Sequence, residues 1–448
     1  MMREQSREQV GQQATGGAGG VPASSRLSRS LARTFASFSN RNYRLFWFGQ
    51  LLSVTGTWVQ RVAQAWLVLN LTDSSFALGM VTTLQFLPMT LFSLFGGVFA
   101  DRLPKRQVLL VTQFVMGIQA LILGLLISWD VVEIWHIYIL AAVLGLATAF
   151  DNPTRQAFVV EMVGPKNVPN AVALNSSLFN TARIVGPSIG GAMIAAFGIA
   201  VPFYANAVSF VAVIVGLLMM RPEEFYDVPP PVRGPVLARL REGIAYSVRT
   251  PAVALVLILM AFLGTFGYQF TVILPLIARY VLDTGALGFG GLLTAMGIGS
   301  LVAALGVAYV SSPTERLLLM GAGSFTVLLG LLALSTSAPL TVGILVLLGA
   351  GSIVFTATAN SRLQILAPGE LRGRVMSLYI FLFMGTAPVG SLSLGYLAET
   401  LSVRIAVGIM ALLCAVGFVL GWLYRARHPE HGPRTATRRP VQESSVSD

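Results

Sequence analysis

Long apolar stretches separated by short polar connections recur along almost the whole chain, and they leave it very few folds to adopt. They fall at 43–70, 76–100, 107–128, 134–156, 168–196 and 199–220, then at 252–278, 286–310, 316–335, 339–360, 373–398 and 402–424. Roughly 20 predominantly apolar residues cross a bilayer as a helix. The spacing therefore predicts an all-α membrane protein with about twelve transmembrane helices. Composition agrees: 55% of the 448 residues are apolar and 11% charged, too little charge to cover a water-soluble domain of this size. Glycine is frequent, at 45 residues, as expected where membrane helices pack closely.

A net charge of +11 would suit a nucleic-acid binder, but its distribution argues otherwise. With the N-terminus placed in the cytoplasm, nearly all Lys and Arg residues outside the spans fall in the two tails and the even-numbered loops. Only Arg279 and Arg404 fall on the other side. This positive-inside bias predicts that both termini are cytoplasmic. The charge orients the chain in a lipid bilayer, and no nucleic acid is expected as a partner. Residues 1–40 form a cytoplasmic tail without the apolar core of a secretory signal. Within it Leu27, Leu31, Phe35 and Phe38 recur at helical spacing among Arg26, Arg29 and Arg33, which suits a short helix lying on the inner leaflet.

The two halves of the chain align without a gap. Ala77-Leu78-Gly79 falls on Ala286-Leu287-Gly288, Gln60 on Gln269, Gly97-Val98 on Gly306-Val307 and Pro104 on Pro313. The shared register predicts two six-helix lobes, 41–220 and 250–424, joined by a polar cytoplasmic linker at 221–249 and followed by a cytoplasmic tail at 425–448. Parallel repeats of this kind describe a carrier whose substrate site lies between the lobes and whose access alternates by rocking.

The connection between the second and third stretches reads Gly97-Val-Phe-Ala-Asp101-Arg102-Leu-Pro-Lys105-Arg106. Gly97 permits a tight helix exit, Asp101 is an anion at the membrane surface, and three cations hold the loop inside. Further on, Gly186-Pro187-Ser-Ile-Gly190-Gly191 combines a kinking proline with glycines that admit a close neighbour. The first run resembles the G-x-x-x-D-R-x-x-[RK]-[RK] loop of the major facilitator superfamily, whose aspartate latches the cytoplasmic gate. The second is similar to the G-P-x-x-G-G motif of its antiporters, with Ala182 at the upstream glycine position. Arg41-Asn-Tyr-Arg-Leu-Phe-Trp-Phe-Gly-Gln50, Asp151-Asn-Pro-Thr-Arg-Gln-Ala-Phe158 and Arg372-Gly-Arg-Val-Met-Ser-Leu378 resemble the bacterial subgroup that includes the enterobactin exporter. The resemblance implies proton-driven export of a small organic molecule across a bacterial inner membrane. It implies no cofactor, and a monomer.

Ionisable residues inside a span are expensive and therefore functional candidates. Asp151 and Arg155 lie four apart near the inner end of the fourth stretch. A partly buried carboxylate takes up a proton more readily than one in water, so Asp151 is the proton-coupling candidate, opposed by Arg155. The alternative is a structural helix pair. Arg61 and Arg183 outnumber nearby acids, which predicts a positive cavity suited to an anionic or chelating substrate. Trp58, Gln60, Gln64, Tyr268, Gln269 and Asn360 complete the expected cavity surface. Rival readings are a multidrug exporter of lipophilic cations, expected to keep a buried carboxylate, and a proton-coupled nutrient importer.

No enzyme is expected. His136, His428 and His431 are the three histidines, Cys414 is the single cysteine, and no carboxylate pair accompanies them. Neither a metal site nor a nucleophilic triad can be assembled from these, and no phosphate-cradling Gly-rich loop with its Lys is present.

Overall fold

The computed structural model describes residues 35–227, 236–309 and 313–428, apart from the side chains of 93–102 and 236–240. Among these residues the chain is all helix and turn. Helix α1 (Arg41–Thr72) starts where the Asn40 side chain accepts the Tyr43 amide and ends at Asp73 in the left-handed conformation (φ 49°). After it come α2 (Ser75–Arg102), α3 (Lys105–Ser128), α4 (Ile134–Phe197) and α5 (Val201–Leu218). In the second half follow α6 (Val236–Arg249), α7 (Pro251–Phe262), α8 (Phe270–Tyr280), α9 (Ala286–Ala308), α10 (Glu315–Leu334), α11 (Ala338–Leu366), α12 (Gly369–Ile380), α13 (Ala387–Thr400) and α14 (Val403–Arg427). Ten helical stretches are long and apolar enough to cross a membrane, with α7–α8 and α12–α13 each forming one of them.

Helix α4 is 64 residues long and breaks at Gly164 (φ 69°, ψ 164°). That backbone region is accessible in practice to glycine alone. The Tyr226 ring also lies within 2.9 Å of where a β-carbon would sit. Gly164→Ala should therefore lower thermal stability by about 1–3 kcal/mol, read as a drop in melting temperature of detergent-solubilised protein. No change in melting would mean that the break tolerates a side chain. α7 and α8 are joined through a π-turn (Leu263–Gly267), and α12 and α13 through another (Phe381–Gly385). The two turns abut: a β-carbon on Gly264 would lie 2.5 Å from the Leu382 carbonyl oxygen.

The segment expected to be a plain linker contains a helix. α6 packs on α12, where Glu242 pairs with Arg374, and Tyr246 donates to the Leu366 carbonyl at 2.9 Å. The expected interfacial helix lies largely in residues 25–34, outside the described residues. Phe35 and Phe38 stack on each other at 5.9 Å, and Phe38 meets Trp47 edge-on at 5.1 Å.

The lobes meet along two seams, α2 against α13 and the distal part of α4 against α9. The first is a ladder with rungs one helical turn apart. Ser75 faces Glu399, Gly79 faces Gly395, and the Thr83 hydroxyl lies 3.0 Å from that of Ser391. In the second seam, a β-carbon on Gly191 would lie 2.7 Å from the Ala286 carbonyl oxygen, and one on Gly290 2.5 Å from that of Pro187. Small residues let backbones approach this closely. Both seams close the end of the molecule formed by the last residues of α1 and the first of α14. The start of α1 and the end of α14 lie at the opposite end.

Candidate functional site

Between the seams, side chains of both lobes enclose two chambers that share Trp58, Thr271 and Leu293. One, of about 50 Å³, is bounded by Arg61 and Gln64 of α1, Gln85 and Phe86 of α2, and Phe289 of α9. The other, of about 200 Å³, is bounded by Arg183, Tyr268, Ser352, Thr356 and Phe383.

Trp58 divides the chambers and is held from behind by the distal part of α4, which stays helical through Pro187. A β-carbon on Gly186 would lie 2.5 Å from that of Trp58, and one on Gly190 3.0 Å from the Val59 carbonyl oxygen. The glycine motif thus has two faces. Gly186 and Gly190 seat α1 inside the first lobe, while Pro187 and Gly191 meet α9 across the lobes. The Arg61 guanidinium carbon sits 4.6 Å from the Trp58 ring centroid, a cation–π distance. Arg183 donates to Asn180 Oδ1 at 3.2 Å, and its buried Nε has no hydrogen-bond partner. Tyr268 leaves the first π-turn, stacks on Phe325 at 4.7 Å and donates to the Ser352 carbonyl at 2.9 Å. Single-turn π segments are frequent where helices shape functional sites.

Among the described residues no Asp or Glu lines either chamber. Two guanidinium groups in a low-dielectric cleft therefore set a positive field, and Arg presents a planar fork suited to carboxylate-like or catecholate oxygens.

Of the residues the sequence nominated, Trp58, Arg61, Gln64, Arg183 and Tyr268 line the cleft. Gln60, Gln269 and Asn360 do not. Gln60 is buried inside the first lobe, donating to Gln119 at 3.1 Å and accepting from Asn206 at 2.6 Å. Gln269 turns back onto the Thr265 carbonyl at 2.8 Å, under Gly390. Asn360 accepts from Gln364 one turn along α11. Asp151 is also away from the cleft and 1% exposed. Its carboxylate pairs with Arg155 and accepts from Thr112 at 2.9 Å and Gln113 at 2.8 Å, while Arg155 donates to Gln50 at 2.8 Å.

In the expected gating loop, the backbone stays helical through Gly97 and Asp101 to Arg102, whose side chains lie outside the described residues. Lys105 pairs with Glu161 at 2.6 Å, and Arg106 donates to the Leu217 and Leu218 carbonyls at 2.7 and 3.0 Å. Both cations are engaged within their own lobe.

Residues 32–447 match a protein family described as transmembrane secretion effector. The chain belongs to this family. It is a multi-pass transporter of the major facilitator type, not an enzyme. It is 27% identical to the multidrug efflux pump Tap of Mycolicibacterium fortuitum over 79% of this chain and 88% of that protein. It is 25% identical to the enterobactin exporter EntS of Shigella boydii over 84% and 88%. With the staphyloferrin A transporter of Staphylococcus aureus it shares 24% identity over 56% of this chain and 63% of that protein, so this match spans less than two thirds of the relative. The fold matches a POT-family transporter solved with 5-aminolevulinic acid (TM-score 0.70, 13% identity, 87% of this chain and 97% of that one).

Sequence reasoning missed Gln85, Thr271, Ser352 and Thr356 on the cleft wall, and Glu399 on the closed seam. Threonine and serine in apolar helices usually bond their own backbone, as Thr356 does to the Ser352 carbonyl at 2.8 Å. No pattern in the chain separates these from the ones that face a cavity.

Proposed function

We propose that this transporter exports a small organic anion of siderophore-like or drug-like character across the bacterial inner membrane, in exchange for protons and without a cofactor. In this reading the chain works as a monomer and crosses the bilayer twelve times, with the break at Gly164 dividing α4 into two spans and both termini in the cytoplasm. The closed seams then face outward, and the cleft opens to the cytoplasm to load substrate before the lobes rock. The observation that carries the anion assignment is the pairing of Arg61 and Arg183 in a cleft lined by no described carboxylate. The siderophore transporters among its relatives support the same substrate class.

The test is proton flux in proteoliposomes offered an anionic catechol chelator or a lipophilic cationic dye. Flux with the chelator is expected, and flux with the dye alone would overturn the anion assignment. Arg61→Gln and Arg183→Gln should each weaken chelator transport about tenfold or more, the value of a lost charge-assisted hydrogen bond, at unchanged protein yield. A second reading, export of lipophilic cations, is favoured by the aromatic walls at Trp58, Phe86, Phe289 and Tyr268 and by the likeness to Tap. Under it, both arginine variants would raise dye transport instead. Net uptake of the chelator, driven inward by the proton gradient, would favour an importer.

A further inference from the structure

We propose that Glu399 is a helix cap supplied across the lobe interface, and that it positions the lobes by holding this end of the transporter shut. The first turn of any helix leaves amide groups without partners inside the helix. In α2 these are met from two sources. Ser74, just before the helix, accepts the Ala77 amide on its own Oγ at 3.1 Å. The remaining partner comes from the other lobe, 324 residues away in the chain. Glu399 Oε2 accepts the Ser75 amide at 2.7 Å and the Phe76 amide at 3.3 Å, together with the Ser74 hydroxyl at 3.2 Å. A carboxylate at a helix N-terminus gains from both the free amides and the helix dipole.

The approach is set by the next rung. Gly395 lies one turn before Glu399, and Gly79 one turn after Ser75. The absence of side chains at both allows α13 to come near enough for the carboxylate to reach the amides. When the lobes part at this end, the Ser75 and Phe76 amides must exchange Glu399 for water. The cap exists only in the closed arrangement, so its free energy enters the equilibrium between the two arrangements and not the folding of α2.

Other charges around the vestibule at this end, which is lined by Asp73, Ser75, Tyr280, Glu399 and Arg404, do not duplicate it. Asp73 accepts from Tyr280 at 3.0 Å and Arg279 at 3.4 Å, but both donors are long side chains that can follow a moving lobe, and exposed ion pairs contribute little. Glu399, also exposed, is bonded to backbone amides fixed in α2. Arg404, also on the vestibule wall, donates to the Ala333 and Leu334 carbonyls of its own lobe.

The measurement is the distance distribution between spin labels at Leu71→Cys and Leu401→Cys, which lie on opposite lobes at the closed end. Cys414, the single native cysteine, is buried and out of a label's reach. Glu399→Gln and Glu399→Ala should raise the open fraction about two- to fivefold. Ser75→Pro removes one donor to Glu399 at a first-turn position where proline is tolerated. It should raise the open fraction by less, and combining it with Glu399→Ala should add little. Asp73→Asn should leave the distribution within twofold of wild type. An unchanged distribution in Glu399→Ala, or an equal shift in Asp73→Asn, overturns the proposal. The label distances read the latch directly, so this outcome is independent of whether the substrate is an anion or the exchange uses protons.

Discussion

Replacing Gly79 with leucine should leave the transporter folded and inserted but reduce its transport about fivefold or more. The three atoms nearest a β-carbon at this position all belong to α13 in the other lobe: the Ser391 carbonyl oxygen at 2.6 Å, the Gly395 Cα at 3.1 Å and its amide nitrogen at 3.4 Å. All three are backbone, and backbone on a packed helix does not swing aside as a side-chain tip does. Overpacking of this kind costs about 1–3 kcal/mol for a few methylene groups, and the whole of it falls on the closed arrangement. A shift of that size moves the balance between closed and open forms about five- to a hundredfold. The first lobe keeps its own contacts, so the melting temperature should stay close to wild type. Gly343→Leu is the control, because nothing lies within 4 Å of its β-carbon position. Flux, label distances and melting, measured on both variants, test the idea together. Transport by Gly79→Leu within twofold of wild type would falsify the view that this rung must close in every cycle.

Membrane insertion was legible in the chain because it depends on the length and apolarity of each stretch, and α3, α5, α10 and α14 follow their expected limits within a few residues. The two-lobe plan rests on a repeated register, which is a property of the sequence alone. Which face a polar residue presents was not. Helices that are apolar nearly all round give no amphipathic phase, so Gln60 and Gln64, one turn apart on α1, look equivalent in sequence. In the structure the first serves Gln119 and Asn206 inside its lobe, and the second lines the cleft. The π-turns were hidden for a related reason: Leu263–Gly267 and Phe381–Gly385 read as ordinary apolar helix, and their close approach to each other is a tertiary contact between segments far apart in the chain. The repeat itself misleads in detail. Gly79 admits the opposite lobe, whereas the three atoms nearest a β-carbon on its counterpart Gly288 all belong to Thr284, in the preceding turn of its own chain segment.

Asp151→Asn should destabilise the protein more than any other substitution at a charged residue discussed above, by about 3–5 kcal/mol. The carboxylate is 1% exposed and shared among Arg155, Thr112 and Gln113. An amide keeps one acceptor oxygen but strips the Arg155 guanidinium of its counter-charge in a half-buried position. The unpaired cation then carries the desolvation penalty that the pair had offset. Removing both charges in Asp151→Asn/Arg155→Gln should recover most of the loss, because a neutral polar pair leaves no buried charge behind. Melting temperature and yield measure this part. The coupling role expected from the sequence makes a different demand. A carboxylate that carries the exchanged proton cannot be replaced by any neutral pair, so the double variant would be stable yet transport substrate without responding to a pH gradient. Restored stability with intact proton coupling identifies Asp151 as the structural partner of Arg155. Restored stability with coupling abolished identifies it as the proton carrier, reached through the Thr112 and Gln113 side of the first lobe and not through the cleft.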